Sequence, residues 1–341
     1  MAKVVKIRYF TKERKEKINP DNIKLYNKYL KSNIIKNPLA KESTYRNYEN
    51  YFTQFLVYLS EEWDNVGLYS EDFMENAIDI MEAFMLFCQE TLKNNKKIIN
   101  TKVSAVSSFY IWSVKRREIK YHPFKDQLDR IKGANKEKII STYFLTEEQV
   151  KQITQGLIEN KDNKYDFMDL LIWKIMLDSA NRIGAMNRLT LSSLDLEEMC
   201  FKNIQEKEFY TVDVSFEEDT KELIEQWLEM RKDMDNLEVD AMWISKYGGG
   251  WKKATKGTLQ TRIKKMGYII GIDDFRSHCI RKTASNLLLD YGVDASLVAK
   301  KLNHKDISTT LAFYQKEKTS TEIRGEIKKQ LAELKKKKQE G

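Results

Sequence analysis

The sequence predicts a mainly α-helical protein with a small antiparallel β-sheet, divided into two domains. Length is the first observation, because 341 residues exceed one typical compact domain and suit two. Composition is the second: only 3 prolines and 13 glycines leave few forced turns, while 41% hydrophobic residues can fill two cores. The third is periodicity, since apolar residues recur at helical spacing through most of the chain and alternate in only one region.

A first, helical domain is predicted over residues 20–123, after an N-terminal extension at 1–19. Aromatic residues spaced as on one helix face provide its inner stripe, which we interpret as core and not as a cofactor site. The sequence implies no cofactor and no metal. The predicted helices are Pro20–Ile35, Ser43–Leu59, Phe73–Leu92 and Lys96–Val114.

The second and fourth of these helices carry short polar and basic side chains opposite the aromatic stripe. Such side chains suit a helix that hydrogen-bonds phosphates and base edges in a DNA groove. For either helix alone, an ordinary solvated face explains them equally well. The candidate DNA-binding residues are Thr44, Arg46, Asn47, Asn50, Asn100, Lys102 and Ser104, followed by the basic run Lys115, Arg116 and Arg117.

Charge and cysteine content narrow the class of protein only partly. The net charge of +8 is compatible with a polyanionic partner, but it fits a solvated lysine-rich surface equally well. The three cysteines form no CxxC pair, so neither a disulfide framework nor a zinc site is predicted. The sequence shows no apolar leader and no segment of membrane-spanning length. We therefore expect a soluble protein of the cytoplasm.

A charged stretch at 124–142 without an amphipathic period is interpreted as an interdomain linker, and a second domain is predicted over 143–316. It opens with Thr146 as a helix N-cap and Gln149 at the capping-box position. A strand near Met199–Ile204 pairs with the strand Phe209–Val214, and glycines 248–250 form a flexible turn after a short strand, Asp240–Ser245. The predicted helices are Phe167–Ser179, Lys221–Arg231, Thr258–Gly267, His278–Tyr291, Asp294–Leu302 and Ser308–Gln315, with Thr319–Lys336 in the tail at 317–341.

Two of the three histidines lie near the C-terminus among conspicuous polar residues. His278 and Arg281 are three apart and share a helix face, and His304 follows a short helix. A lone His-x-x-Arg is weak evidence, but the whole string through Ser308-Thr309-Thr310 resembles the signature of the tyrosine recombinases, or phage integrases. In that signature a His-x-x-Arg helix is followed by Leu-Gly-His and then by Ser-Thr-Thr-x-x-Tyr.

The resemblance covers roughly residues 20 to 316. Arg182 lies at the family's first phosphate-binding arginine, and Lys207 at the hairpin turn where the family keeps a lysine, although Lys202 competes for that assignment. The N-terminal helices resemble the core-binding domain, whose second and fourth helices enter DNA grooves. His122-Pro123-Phe124 matches the usual Asn-Pro-Phe exit from that domain. The resemblance therefore implies the two-domain recombinase fold and double-stranded DNA as partner.

In this family a tyrosine attacks a DNA phosphodiester and leaves a 3′-phosphotyrosyl link. The resemblance implies that Arg182 and Arg281 bind the non-bridging oxygens of the phosphate. Lys207 would protonate the leaving 5′ oxygen, His278 would manage the proton of the tyrosine, and His304 would hydrogen-bond the phosphate.

The sequence departs from the family at the nucleophile, because Phe313 occupies its position and a tyrosine follows one residue later, at Tyr314. One helical step is roughly 100° of rotation and about 1.5 Å of rise, and a misplacement of about 1 Å can cost roughly a hundredfold in rate. Ala185 stands where an acidic residue commonly supports the first arginine, and Asn303 replaces a glycine. These departures predict an inactive enzyme that still binds phosphate, unless a local bulge brings Tyr314 into register.

Three functions fit these residues. The first is a sequence-specific DNA-binding protein that represses transcription in the bacterial cytoplasm at the nucleoid; in this respect the chain looks like the recombinase-fold lysogeny repressors of SPβ-type prophages. The second is an active site-specific recombinase that uses Tyr314, and the third is an accessory protein that does not cut. In the family, a C-terminal helix like that in the tail docks on a neighbouring protomer, an arrangement as well supported here as folding back on its own domain.

Overall fold

The computed structural model describes residues 11–36, 42–134, 144–206, 210–234, 238–303 and 306–314, with three residues of the tail, Arg324, Gly325 and Lys328. The chain divides into two compact units, residues 1–139 and 140–341. Within the described ranges both units are mostly helical, and the strands form small antiparallel sheets in the second, which confirms the predicted fold class. No helix in these ranges is long and apolar enough to cross a bilayer.

In its described residues, the first unit has four long helices, preceded by a short one in the predicted extension. Side chains fix the helix starts: Ser70 and Asn95 accept the backbone N–H groups three residues further on. All four predicted helices are present, each with ends within three residues of those predicted. The helices are α1 (Lys12–Glu16), α2 (Pro20–Lys36), α3 (Glu42–Glu62), α4 (Glu71–Glu90) and α5 (Lys96–Lys115).

Aromatic rings fill the core of this unit, as the helical stripe predicts. Phe52 stacks on Tyr26 with 3.9 Å between ring centroids and meets Phe109 edge to face at 5.3 Å. Phe124 is buried in the same core, and Leu128 and Ile131 pack against it. The beginning of the segment interpreted as a linker therefore contributes apolar side chains to the first unit.

Lys102 corrects the predicted DNA-binding set. Only 2% of the residue is exposed, so it cannot reach a phosphate at the surface of α5. Its ammonium group donates to Asn94 Oδ1 and lies 3.6 Å from Cys88 Sγ. Burial lowers the pKa of Lys102, because removal from water penalises the charged form. The partners that allow a lysine to be buried here are Cys88 of α4 and Asn94 of the loop after it. Sequence periodicity does not reveal them.

The second unit is built around helix α7, which is buried on nearly all sides. The predicted capping box at Thr146 and Gln149 is present, and a second capping box joins Asp166 and Asp169. Because that second box fixes the start of α7, the helix has the predicted bounds. The helices of this unit are α6 (Glu147–Ile158), α7 (Phe167–Ser179), α8 (Ile183–Met186), α9 (Glu218–Lys232), α10 (Lys256–Met266), α11 (Ser277–Asp290), α12 (Ala295–Lys301) and α13 (Ile307–Tyr314).

Two antiparallel sheets complete the described part of this unit. The first has the order β1 (Leu194–Asp195), β2 (Cys200–Gln205) and β3 (Thr211–Ser215), with Phe201 opposite Val214. The second is a hairpin of β4 (Ile244–Tyr247) and β5 (Gly250–Lys253), with Tyr247 opposite Gly250. The strand predicted over Asp240–Ser245 thus begins later, and the glycines form a tight hairpin tip instead of a flexible turn. Apart from three residues, the predicted helix of the tail lies outside the described ranges.

Candidate active site

Arg182 is placed by a sharp turn between α7 and α8. Helix α7 ends at Ser179, and the next residue, Ala180, has the left-handed φ of +52° and donates its N–H to the Met176 carbonyl oxygen. Asn181 is buried, and Arg182 follows in extended conformation as the residue before α8. The turn leaves the Arg182 side chain 42% exposed, so its guanidinium can meet a ligand from solvent.

Glu206, at the end of β2, supports the guanidinium of Arg182. Nη1 of Arg182 donates to Glu206 Oε2 at 2.7 Å, and the glutamate side chain is only 5% exposed. The other carboxylate oxygen, Oε1, has no hydrogen-bond partner among the described residues. The expectation that Ala185 weakens support for Arg182 is therefore wrong, because a carboxylate from the sheet provides that support. Sequence spacing gave no signal for Glu206, which lies 24 residues from its partner.

Arg188 is a further residue of this region that sequence spacing does not identify. Its Nη1 donates to the backbone carbonyl oxygens of Gln205 at 2.8 Å and Glu206 at 3.0 Å. This arginine follows α8 and holds the end of β2 beside the α7–α8 turn. It thereby fixes the backbone from which the Glu206 carboxylate reaches Arg182. Lys207, the next residue and the predicted general acid, lies outside the described residues.

Arg281 is enclosed by the protein, with only 1% of the residue exposed. Its Nη1 donates to the Ala180 carbonyl oxygen at 2.8 Å and its Nη2 to the Leu302 carbonyl oxygen at 2.7 Å. Arg281 therefore joins α11 to the turn that carries Arg182 and to the end of α12.

His278 lies one turn before Arg281 on α11, as the three-residue spacing predicts. The residue keeps contact with solvent, yet its pKa is lowered from 6.5 to about 4. Partial removal of the ring from water is the largest cause, and the nearby cations Arg281, Lys282 and Arg182 add to it. Arg281 bonds the turn that carries Arg182, and His278 lies one helical turn before Arg281, so these three predicted residues lie in one region of the second unit.

Asn303 occupies the position at which the family has glycine before its second histidine. Its φ of +53° lies in the left-handed region. Asparagine tolerates this conformation better than most residues with a Cβ, so the substitution preserves the turn after α12. His304, the next residue in the sequence, lies outside the described residues.

The backbone of α13 is an uninterrupted helix over Ile307–Tyr314. Its first turn is capped by Asp306, whose Oδ1 accepts the Ser308 N–H at 2.8 Å. The capping residue therefore precedes Ser308-Thr309-Thr310 in the sequence. Phe313 and Tyr314 are consecutive positions of this helix. They are separated by one helical step, and the described backbone contains no bulge between them.

The predicted DNA-binding residues of the first unit fall into two groups. Asn100 and Ser104 serve the fold: the Asn100 amide exchanges two hydrogen bonds with the Ile131 backbone, and Ser104 Oγ donates to the Asn100 carbonyl oxygen. Asn50 is half-buried, and the side chain of Thr44 is outside the described part. The second group consists of the predicted residues that are exposed, on α3 and at the end of α5: Arg46, Asn47, Lys115, Arg116 and Arg117.

Replacing Arg182 with alanine should destabilise the protein through Glu206. The variant leaves a buried carboxylate without its cation, and we expect the free energy of unfolding to fall by about 1 to 3 kcal/mol. The exposure of Arg182 argues for the lower part of that range. Adding Glu206→Gln removes the buried charge and should restore part of the loss. Urea unfolding of both single variants and the double variant measures this coupling; strictly additive losses would contradict the pairing.

Comparison with known proteins agrees with the fold. Residues 143–320, slightly more than half of the chain, match the model of the phage integrase family. Tyrosine recombinase XerC of Staphylococcus epidermidis is 22% identical over 273 residues, covering 79% of this chain and 85% of that protein. Tyrosine recombinase XerA of Saccharolobus solfataricus is 27% identical over 169 residues, and the match spans only 50% of either protein.

Solved structures show the same fold. The Tn1549 transposon integrase in complex with transposon right end DNA is similar with a TM-score of 0.64 at 17% identity, covering 90% of this chain and 98% of that one. A λ integrase dimer bound to a core site has a TM-score of 0.62 at 12% identity, covering 87% and 98%. Because the family model spans more than half of the sequence and the fold recurs in these integrases, this chain belongs to the phage integrase family of tyrosine recombinases.

Proposed function

We propose that this protein binds double-stranded DNA at a specific site without cutting it, and that it acts as a transcriptional repressor of a phage or prophage. The proposal rests on the family resemblance, by which Phe313 falls at the nucleophile position, and it is supported by the unbroken backbone of helix α13. Phenylalanine has no hydroxyl group, so no phosphotyrosyl link can form there. A protein that occupies its site without cleaving it excludes other proteins from that DNA.

Binding of a DNA phosphate is supported by the group around His278. The side chain of Arg182 is 42% exposed and pairs with a buried carboxylate, and Arg281 of α11 bonds the turn that carries Arg182. His278 lies one helical turn before Arg281. A lowered pKa keeps the His278 imidazole neutral near neutral pH, so it can donate a hydrogen bond without adding charge. Duplex DNA as the ligand is further supported by the similar integrase whose structure contains transposon end DNA.

An active recombinase that cuts through Tyr314 is the second candidate. It is favoured by Glu206, because a buried carboxylate that supports Arg182 replaces the acidic residue missing at Ala185. An arginine supported in this way is ready for catalysis as well as for binding. The helical step between positions 313 and 314 is the argument against this candidate. It would place the hydroxyl of a tyrosine at 314 on a different helix face from that of a tyrosine at 313.

DNA binding is tested on a duplex selected by the protein from a random library. Affinity should fall steeply with salt, with a slope of about −0.9 per phosphate contact in a plot of log K against log salt concentration. Arg46→Ala or Asn47→Ala should change the preferred sequence, whereas Arg182→Lys, which keeps the charge, should weaken binding to all sequences. A flat salt response of the wild-type protein would sink the proposal.

DNA binding should also tighten in mild acid, and His278 should be the cause. Between about pH 4 and pH 6.5, His278 is protonated in the unfolded chain and mostly neutral in the folded protein. The free energy of unfolding therefore rises with pH through that window. A phosphate beside the ring raises the pKa of His278, because its negative charge favours the imidazolium form. The complex then takes up a proton, and affinity rises as the pH falls through this window.

The measurement is the dissociation constant of the selected duplex as a function of pH, for the wild-type protein and for His278→Gln. The variant removes this proton uptake while keeping His122 and His304, so the two pH profiles should differ. Identical profiles would show that His278 lies away from the bound phosphate.

A further inference from the structure

A single segment of the second unit is strongly basic. Between Asp240 and Asp273 the sequence has seven lysines and arginines and no acidic residue, against a net charge of +8 for the whole chain. Four of these lysines lie on hairpin β4–β5 or directly after it, and all four are exposed: Lys246, Lys252, Lys253 and Lys256. Within the part of the chain that the structure describes, none of the four forms an ion pair with an acidic side chain.

The hairpin presents these cations on both of its faces. Lys246 is opposite Trp251, and Ser245 is opposite Lys252. Because side chains alternate along a strand, Lys246 and Lys253 lie on one face and Lys252 on the other. Each face also has an aromatic ring beside a lysine: Lys246 Nζ is 6.0 Å from the Trp251 ring centroid, and Lys252 Nζ is 5.7 Å from that of Tyr247.

The tip of the hairpin is narrow and open. Gly248 and Gly249 have φ values of +59° and +83°, the pair of left-handed residues that a two-residue hairpin turn needs. A Cβ placed at either glycine would meet no atom within 4 Å. Next to the tip, Tyr247 is 75% exposed, with its hydroxyl available to a polar ligand. The tip can therefore approach a large ligand closely without steric hindrance.

A two-stranded β-ribbon fits the major groove of DNA, and phosphates border that groove on both sides. We propose that hairpin β4–β5 contacts the DNA phosphate backbone, with Lys246, Lys252 and Lys253 as its cations and Tyr247 as a hydrogen-bonding side chain. A lipid surface fits less well, because the exposed part of the hairpin offers cations on both faces and no continuous apolar face. The inference rests on the proposed function and adds a contact outside the group around Arg182.

The test replaces Lys246, Lys252 and Lys253 together with glutamine and measures binding to a mixed-sequence duplex at several salt concentrations. Phosphate contacts are independent of sequence, so no operator is needed. Affinity at low salt should fall by at least about tenfold, and the salt slope should decrease by about 0.9 for each phosphate that the variant no longer neutralises. The matched control replaces Lys151, Lys161 and Lys232, three exposed lysines of the same unit, and changes the net charge equally. Thermal melting of both triple variants confirms that they fold.

Three outcomes are distinguishable. A loss of affinity and of salt slope confined to the hairpin variant supports the contact. Equal behaviour of the hairpin and control variants, with steep salt dependence in the wild-type protein, overturns the hairpin contact and leaves the proposed DNA binding intact. A wild-type protein that binds no duplex at any salt concentration overturns the proposed function and the hairpin contact with it.

Discussion

Arg281→Ala is expected to lower the free energy of unfolding by about 3 to 5 kcal/mol, the largest loss that we expect for a single residue of the site. The substitution removes two hydrogen bonds, leaves the carbonyl oxygens of Ala180 and Leu302 without these donors, and opens a cavity where the guanidinium is buried. Each effect is costly in a closed interior, and the three occur together. Denaturant unfolding measures the loss.

Arg276→Ala is the matched control for this prediction. Arg276 is exposed one residue before α11 and pairs with Asp274 at the surface. We expect its removal to cost no more than about 1 kcal/mol, as for other exposed ion pairs. Similar losses for the two arginines would contradict the structural role of Arg281.

The role of Arg281 in the fold changes what its presence means. A buried arginine that joins three elements is needed for stability whether or not it also contacts DNA. Its survival in a chain with Phe313 is therefore weak evidence for catalysis. Arg182 is more informative, because its side chain is 42% exposed and its pair with Glu206 stabilises the fold less than the enclosed hydrogen bonds of Arg281 do.

The sequence predicted the parts of this structure that depend on local signals. Helix α7 has the expected bounds because its cap and apolar run lie within a few residues of each other. His278 and Arg281 share one helix face because three residues separate them. The β4–β5 hairpin was misjudged, since the same three glycines fit a loose turn or a tight one.

Features that depend on tertiary partners could not be predicted in this way. Helical periodicity places Lys102 opposite the aromatic stripe of α5, whereas the fold buries it against Asn94 of the preceding loop. The Arg182–Glu206 pair joins a helical turn to a strand end, and no spacing rule connects the two. Contacts of this kind require the fold before they can be identified.

Phe313→Tyr should convert a protein that forms no covalent DNA adduct into one that does. The substitution introduces a hydroxyl at the position that the family resemblance gives to the nucleophile, and it leaves the proposed phosphate-binding residues Arg182 and His278 unchanged. A suicide substrate, which traps the 3′-phosphotyrosyl link, reveals the adduct as a slower band on a denaturing gel. The double variant Phe313→Tyr with Arg182→Ala is the control, and it should form far less adduct. Failure of Phe313→Tyr to form any adduct would indicate that the site has lost more than its nucleophile.

The most direct test of the central claim is the same gel for the wild-type protein with its own selected duplex as suicide substrate. We predict tight binding in the native gel and no adduct in the denaturing gel, with Tyr314→Phe behaving identically. A covalent adduct of the wild-type protein that disappears in Tyr314→Phe would contradict the claim. It would identify the chain as an active recombinase that cuts through Tyr314.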